Sequence, residues 1–202
     1  MRDYLRLDGF LDGLAGDLYA VEPVEPHLRI TRGVIGDLWR DKQIRAGDRV
    51  LDIGCGQGLA LEEFKRLGLR PVGVTIGPDY EICRKKGLEV LEMDQNFLAF
   101  DDEEFDLLWC RHVLEHSIAP FFTLSEYRRL TKLQGLVYVE VPAPDTAAHH
   151  EANPNHYSCL PQSAWLSLFQ RTGFAVASRV EHAFETLAGP DSYWGFLLRR
   201  TV

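Results

Sequence analysis

The sequence has no apolar run that approaches the roughly 20 residues needed to span a bilayer. Its first residues are interrupted by charges and lack the apolar stretch of a secretory signal peptide. It has only four cysteines, widely scattered and without a C-x-x-C pair. This usage predicts reduced, mostly buried thiols instead of a disulfide framework. The absences together predict a soluble cytoplasmic protein that has no membrane partner.

Basic residues are also in deficit, at 22 against 30 acidic residues, which gives a net charge of -8. Proteins that bind nucleic acid gain much of their affinity by neutralising phosphates, so no nucleic-acid partner is expected. With 202 residues, 46% of them hydrophobic, the chain can bury one substantial core. We expect an N-terminal arm or helical lid over residues 1–45 and one domain over residues 46–202. The oligomeric state stays open.

Strand and helix patterns alternate from residue 50 onward. Residues 1 to about 30 carry no clear period and are predicted to be irregular, whereas residues 30–44 have the apolar spacing of an amphipathic helix. Strands are predicted over residues 50–53, 71–76, 88–93, 105–110, 136–141, 174–180 and 193–198, and helices over residues 59–67, 78–87, 120–130 and 161–171. Continuous apolar strands separated by helices predict an α/β fold. We expect a doubly wound, mostly parallel seven-stranded sheet with helices on both faces and an antiparallel end.

A glycine-rich turn follows the first strand, in the sequence Val-Leu-Asp-Ile-Gly-Cys-Gly-Gln-Gly over residues 50–58. Gly54, Gly56 and Gly58 allow sharp turning and let a ligand approach the main chain, and the next helix offers its free N–H groups. The spacing is G-x-G-x-G, which differs from the dinucleotide fingerprint. Asp52, two residues before the first glycine, is either a structural cap of the turn or a carboxylate that favours a cationic ligand.

Residues 50–58 and the block Phe-Asp-Leu-Leu-Trp-Cys-Arg-His-Val-Leu-Glu-His over residues 105–116 resemble two motifs of class I S-adenosylmethionine-dependent methyltransferases that act on small molecules or saccharides. The resemblance covers roughly residues 48–180 and implies a Rossmann-like fold. It also implies that S-adenosylmethionine binds across the carboxyl ends of the first four strands. The cofactor-binding residues implied by the resemblance are Asp52, Gly54, Cys55, Gly56, Gly58, Thr75, Ile76, Asp94, Gln95, Arg111 and His112.

The chain departs from this family at the end of the second strand, where Thr75 stands in place of the acid that usually holds the ribose hydroxyls. A threonine hydroxyl makes a single neutral hydrogen bond, whereas a carboxylate accepts two charge-assisted ones. Either Thr75 serves, or Asp79 reaches back from the next helix, or another segment supplies the contact. After the third strand, Asp94 has two interpretations, as the acceptor of the adenine amine and as a helix-capping residue.

The residues His112-x-x-Glu115-His116 match the H-x-x-E-H pattern of inverted zinc peptidases. That chemistry needs a long helix and a third ligand downstream, whereas this segment begins at a strand end and reaches a proline within a few residues. A metal site formed by His149, Glu151 and His156 is a further alternative. We favour the methyltransferase interpretation, with no metal.

A loop of 19 residues, 142–160, follows the fifth strand, and loops of this length in compact domains are usually functional. Its histidines, His149, His150 and His156, are the candidate catalytic residues, because an imidazole titrates near neutrality and can act as a general base. The expected reaction is in-line transfer of a methyl group to an oxygen or nitrogen nucleophile of a small molecule or saccharide. The alternatives are a non-catalytic domain that binds S-adenosylmethionine or S-adenosylhomocysteine, and a nicotinamide-dependent oxidoreductase.

Overall fold

The computed structural model describes residues 4–14, 22 and 25–201. This part of the chain forms six helices and seven strands, which alternate from β1 to β3 and from α5 to β6. The helices are α1 (Tyr4–Leu14), α2 (His27–Arg40), α3 (Leu59–Arg66), α4 (Pro78–Lys85), α5 (Pro120–Leu130) and α6 (Gln162–Arg171). The strands are β1 (Arg49–Ile53), β2 (Arg70–Thr75), β3 (Val90–Glu92), β4 (Phe105–Arg111), β5 (Thr131–Pro142), β6 (Phe174–Thr186) and β7 (Gly189–Arg200). Short 3-10 turns lie at Leu114–His116 and His150–Ala152.

The strands form one seven-stranded sheet in the order β3-β2-β1-β4-β5-β7-β6. Strands β1 to β5 pair in parallel, and β7 pairs antiparallel with both β5 and β6. The predicted fold class is therefore confirmed, including the antiparallel end. The strand order reverses between β1 and β4, and a crevice at such a switch point is where open α/β sheets bind their ligands.

Alternate residues of the central strands point to opposite faces of the sheet, as the two-residue period of a strand requires. On β1, Leu51 packs in a cluster with residues of α5 and α6, and its neighbour Val50 packs in a second cluster with residues of α2 and α3. On β4, Leu108 and Trp109 divide in the same way. Helices thus cover both faces, and the carboxyl ends of the strands stay open to loops.

The N-terminal arm differs from the sequence prediction in one respect, because residues 4–14 form helix α1 instead of irregular chain. Two glycines lie within this helix, Gly9 and Gly13, and glycine lowers helix propensity, which is why the pattern gave no helix there. Helix α2 begins at His27 and buries Ile35 and Leu38 in the second core cluster. The boundary between arm and domain at residue 45 stays a prediction. Across the described ranges, no helix combines the length and apolar character that a bilayer crossing demands.

Candidate active site at the carboxyl ends of the strands

A cavity of about 480 Å³ lies beyond the carboxyl ends of β1, β2, β3 and β4. It is bordered by the loops that follow these strands and by described residues of the N-terminal arm. Of the predicted cofactor-binding residues, those that border it are Asp52, Gly54, Cys55, Gly56, Thr75, Ile76, Asp94, Gln95, Arg111 and His112. Gly58 does not border the cavity. Ten of the eleven predicted cofactor-binding residues therefore border one cavity, and their role in binding stays a prediction.

The three glycines of the turn have different roles. Gly54 has φ +65°, and a Cβ there would lie 2.2 Å from Cγ2 of Val113. Gly58, the residue before α3, has φ +86°, and a Cβ there would lie 2.2 Å from Cδ1 of Leu88. Gly56 has φ +50° and open space, with only Oδ2 of Asp79 near the position of a Cβ, at 3.8 Å. Packing therefore requires glycine at two positions, and at Gly56 the main chain is accessible from the cavity.

Asp52 borders the cavity with a carboxylate that is 3% exposed, and its Oδ2 has no hydrogen-bond partner among the described residues. Burial raises the pKa of Asp52 well above its usual value. A buried carboxylate oxygen without a partner is costly. A cationic group in the cavity would compensate that cost, and an ammonium is such a group.

Thr75 and Asp79 lie together at the wall where a ribose acid would be expected. Thr75 ends β2 and is buried, whereas Asp79 stands in the first turn of α4. Oδ1 of Asp79 is buried and lacks a partner within the described part of the chain, and burial raises the pKa of this carboxyl. The structure thus brings both of the named alternatives to the cavity, and Asp79 is the one that offers an unpaired carboxylate oxygen.

Asp94 and Gln95 also take part in the structure of the loops. Oδ1 of Asp94 accepts hydrogen bonds from the backbone and side-chain nitrogens of Asn96, both at 2.7 Å. Gln95 Nε2 donates to the carbonyl of Val113 at 2.8 Å, and its Oε1 accepts from the hydroxyl of Tyr127 at 3.1 Å. Asp94 therefore caps its own turn through one oxygen, and Gln95 links the loop after β3 to the turn after β4.

Arg111 and His112, at the end of β4, form a buried ionic cluster with Glu140 of β5. Glu140 Oε1 lies 2.5 Å from Arg111 Nη2 and 3.1 Å from His112 Nε2. Burial would raise the pKa of Glu140, but the hydrogen bond from His112 and the charge of Arg111 hold it far below its usual range. Burial likewise opposes the charged form of His112, but the bonds to Glu115 and Glu140 prevail and raise its pKa. This cluster fixes the positions of the Arg111 and His112 side chains beside the cavity.

His27, the first residue of α2, borders the cavity, although it is not among the site residues predicted from the sequence. Its ring lies against His112 and Tyr193, with centroid distances of 5.1 and 5.5 Å. Burial and the neighbouring positive charges of His112 and Arg111 lower the pKa of His27 to about 4. The imidazole is thus neutral at physiological pH. A lone histidine directly after a proline carries no sequence signal for such a position.

The three loop histidines do not border the cavity. His149 has a side chain that is 74% exposed, and its Nδ1 lies 3.4 Å from Glu151. His150 Nε2 donates to the carboxylate of Asp191 at 3.0 Å. His156 is half-buried, with its ring 4.8 Å from that of His116. Their catalytic role stays a prediction. The residues of this loop that do border the cavity are Asn155 and Tyr157, and His116 of the turn after β4 borders it as well.

A sequence profile described as a methyltransferase domain matches residues 32–179 of the chain. The chain belongs to this family. The match confirms the predicted resemblance to class I S-adenosylmethionine-dependent methyltransferases, the enzyme class and S-adenosylmethionine as the cofactor. It favours the methyltransferase interpretation over the nicotinamide-dependent one. The zinc-peptidase alternative also lacks its long helix, because His116 ends a three-residue 3-10 turn.

Curated relatives of this methyltransferase domain include the ubiquinone biosynthesis O-methyltransferase of Methylococcus capsulatus. It is 32% identical over 101 residues, which are 46% of this chain and 43% of that protein. The chain spans about half the length of the curated relatives it matches.

Solved structures resemble the whole fold at lower identity. A SAM-dependent methyltransferase from Archaeoglobus fulgidus is 20% identical with a TM-score of 0.66, over 98% of this chain and all of that one. The cyclase SpnF is 18% identical with a TM-score of 0.72, over 98% of this chain and 94% of that one. At these identities the likeness shows the fold alone.

Proposed function

We propose that the methyltransferase domain transfers the methyl group of S-adenosylmethionine to an oxygen or nitrogen nucleophile of a small molecule. The observation that carries this proposal is the cavity at the glycine turn, which holds the unpaired, buried carboxylate of Asp52. The residues fit the cofactor, because its ammonium compensates an unpaired carboxylate and the main chain at Gly56 is open to a ligand. The ten predicted cofactor residues that border the cavity are the proposed contacts.

When bound, the cofactor supplies a methyl group on a positively charged sulfur that is already a good leaving group. In this proposal Asp52 would hold the cationic end of the cofactor, and Asp79 with Thr75 would accept hydrogen bonds from its ribose hydroxyls. The remaining task of the protein is to align the acceptor with the methyl carbon. Alignment of this kind is worth up to about 7–11 kcal/mol in well-oriented systems.

The acceptor is proposed to lie beside four residues that border the cavity and come from segments other than the glycine turn. These are His27, His116, Asn155 and Tyr157. Nδ1 of His116 donates to the carbonyl of Asn155 at 2.8 Å, so that Nε2 keeps its lone pair. These groups suit an acceptor that carries hydroxyls, including a saccharide. Oxygen is the favoured nucleophile, because the curated relatives are named O-methyltransferases.

The N-terminal arm is proposed to act as a lid, because Leu11, Leu14 and Glu22 border the same cavity. A cytoplasmic location is also part of the proposal. It is supported by four cysteines that are all free, three of them buried.

Calorimetric titration with S-adenosylmethionine, and separately with NAD, tests the cofactor assignment. We expect binding of S-adenosylmethionine and none of NAD, and the reverse result would contradict the proposal. Turnover to S-adenosylhomocysteine is then measured with a panel of hydroxylated and amine-bearing acceptors. Tight cofactor binding without turnover on any acceptor would favour the non-catalytic binding domain instead.

A further inference from the structure

Glu115, His116 and His156 form a cluster whose ligand atoms all lie within 4.8 Å of one another. Two of these residues come from the 3-10 turn after β4, and the third comes from the loop after β5. Because the cluster includes His116, it adjoins the cavity wall assigned to the acceptor. It differs from the His149, Glu151 and His156 set considered from the sequence.

Glu115 supplies the first reason to expect a ligand here. Its side chain is 1% exposed, and Oε2 is buried with no hydrogen-bond partner among the described residues. Oε1 lies 3.6 Å from Nδ1 of His112. The carboxylate is thus paired on one side only, and an unpaired buried oxygen of this kind carries a desolvation cost that a cation would offset.

The two imidazoles supply the second reason. His116 donates Nδ1–H to the carbonyl of Asn155 at 2.8 Å, which leaves Nε2 as a lone-pair donor. Metal-ligating histidines are usually oriented in this way by a carbonyl on the other ring nitrogen. Nδ1 of His156 is buried and has no partner within the described residues, and Asn153 lies 3.3 Å from the other nitrogen.

We propose that Glu115, His116 and His156 bind one divalent transition-metal ion. Two imidazoles and one carboxylate are a donor set typical of zinc and of other first-row divalent ions. Protein ligands of zinc lie about 2.0–2.2 Å from the ion, so the three side chains rotate towards one another when it binds. Three protein ligands leave a coordination position for a further oxygen.

The role of this ion rests on the proposed function. An acceptor hydroxyl that occupies the remaining position loses its proton to solvent more readily, because a bound cation lowers the pKa of an oxygen ligand. The oxygen then forms its bond to the methyl carbon as the carbon–sulfur bond breaks, and the electron pair of that bond stays on sulfur. The products are a methyl ether, S-adenosylhomocysteine and the released proton.

The site is tested by titrating the full chain, freed of metal with a chelator, with Co²⁺ and following the visible absorption of bound cobalt. We expect one equivalent of Co²⁺ to bind. Glu115→Gln and His156→Asn are expected to weaken binding at least tenfold. His149→Asn, a change to an exposed histidine of the same loop outside the cluster, is the matched control and leaves binding unchanged.

Calorimetry with S-adenosylmethionine on each metal-free variant shows that it is folded. Absence of Co²⁺ binding, or equal binding by wild type and both cluster variants, would overturn the metal site. Failure of the metal-free wild type to bind S-adenosylmethionine would contradict the proposed function. It would not change what the Co²⁺ titration shows about the metal site. Turnover restored by Zn²⁺ supports the role at the acceptor, and turnover insensitive to metal removal refutes that role.

Discussion

The carboxylate of Asp52 is buried at the cavity without a partner for Oδ2, and its pKa is raised by that burial. We expect Asp52→Asn to weaken binding of S-adenosylmethionine about 10- to 100-fold, because a charge-assisted hydrogen bond contributes about 1.5–3 kcal/mol. The same change should raise the stability of the ligand-free protein, since it removes an uncompensated buried charge. Calorimetry and urea unfolding measure the two effects. Asp41→Asn, on an exposed aspartate, is the control for both.

The raised pKa of Asp52 also predicts a pH dependence for wild-type binding. A cationic ligand favours the ionised carboxylate, so binding releases a proton when part of the free protein holds Asp52 protonated. Affinity should therefore fall as the pH falls through the raised pKa, and this slope should be absent in Asp52→Asn. Calorimetry in two buffers of different ionisation enthalpy counts the released protons. An identical pH slope in the two proteins would remove Asp52 from the cationic site.

Gly54 and Gly56 provide a matched pair for testing the turn, since both have positive φ but only Gly54 lies against a side chain. Gly54→Ala should lower the free energy of unfolding more than Gly56→Ala does. The expected difference is about 1–3 kcal/mol, the usual cost of overpacking. Adding Val113→Ala to Gly54→Ala should recover part of this difference. Urea unfolding of the single and double variants provides the measurement. Equal losses for the two glycine variants would show that the contact with Val113 relaxes freely.

At the scale of elements, the loop after β5 is held to the 3-10 turn after β4 by Ser158. Its hydroxyl donates to the carbonyl of Ser117 at 2.7 Å, and its backbone N–H donates to the carbonyl of Glu115 at 2.9 Å. Ser158→Ala leaves the buried carbonyl of Ser117 without this bond and should cost about 1–2 kcal/mol of stability. Ser125→Ala, on a half-buried serine whose solvent-accessible hydrogen bond lies within α5, should cost less. Urea unfolding and limited proteolysis of the loop measure the effect.

The strands could be predicted from the sequence because apolar runs and glycine turns are local signals, and the alternation of strands with helices predicted a mostly parallel sheet. The order of the strands in the sheet was not predicted, because it depends on contacts between distant segments. Local signals also place Asp52, Gly54 and Gly56 at the cavity, since they lie at the end of a strand that is fixed by its pattern. The positions of the loop histidines could not be predicted. They depend on contacts over long sequence separations, such as His150 with Asp191 and His156 with His116.

At the scale of the whole molecule, helix α1 lies over the cavity through some residues and faces solvent through others. Leu14 borders the cavity, whereas Leu5 is 82% exposed. If the arm acts as a lid, Leu14→Asp should weaken binding of S-adenosylmethionine several-fold and hardly change stability. Leu5→Asp on the same helix serves as its control. Equal affinities for both variants and wild type, measured by calorimetry, would count against the lid.

The order of β5, β7 and β6 in the sheet has a consequence for how the sheet assembles during synthesis. Strand β7 lies between β5 and β6 in the sheet, although it follows both of them in sequence. When β6 has emerged from the ribosome, β7, the strand through which β6 joins the sheet, has not yet emerged. A truncation after Thr186 would therefore leave β6 unattached and one side of β5 uncovered, two unpaired strand edges that favour aggregation. The 12 residues of β7 therefore complete the sheet by joining β6 to β5.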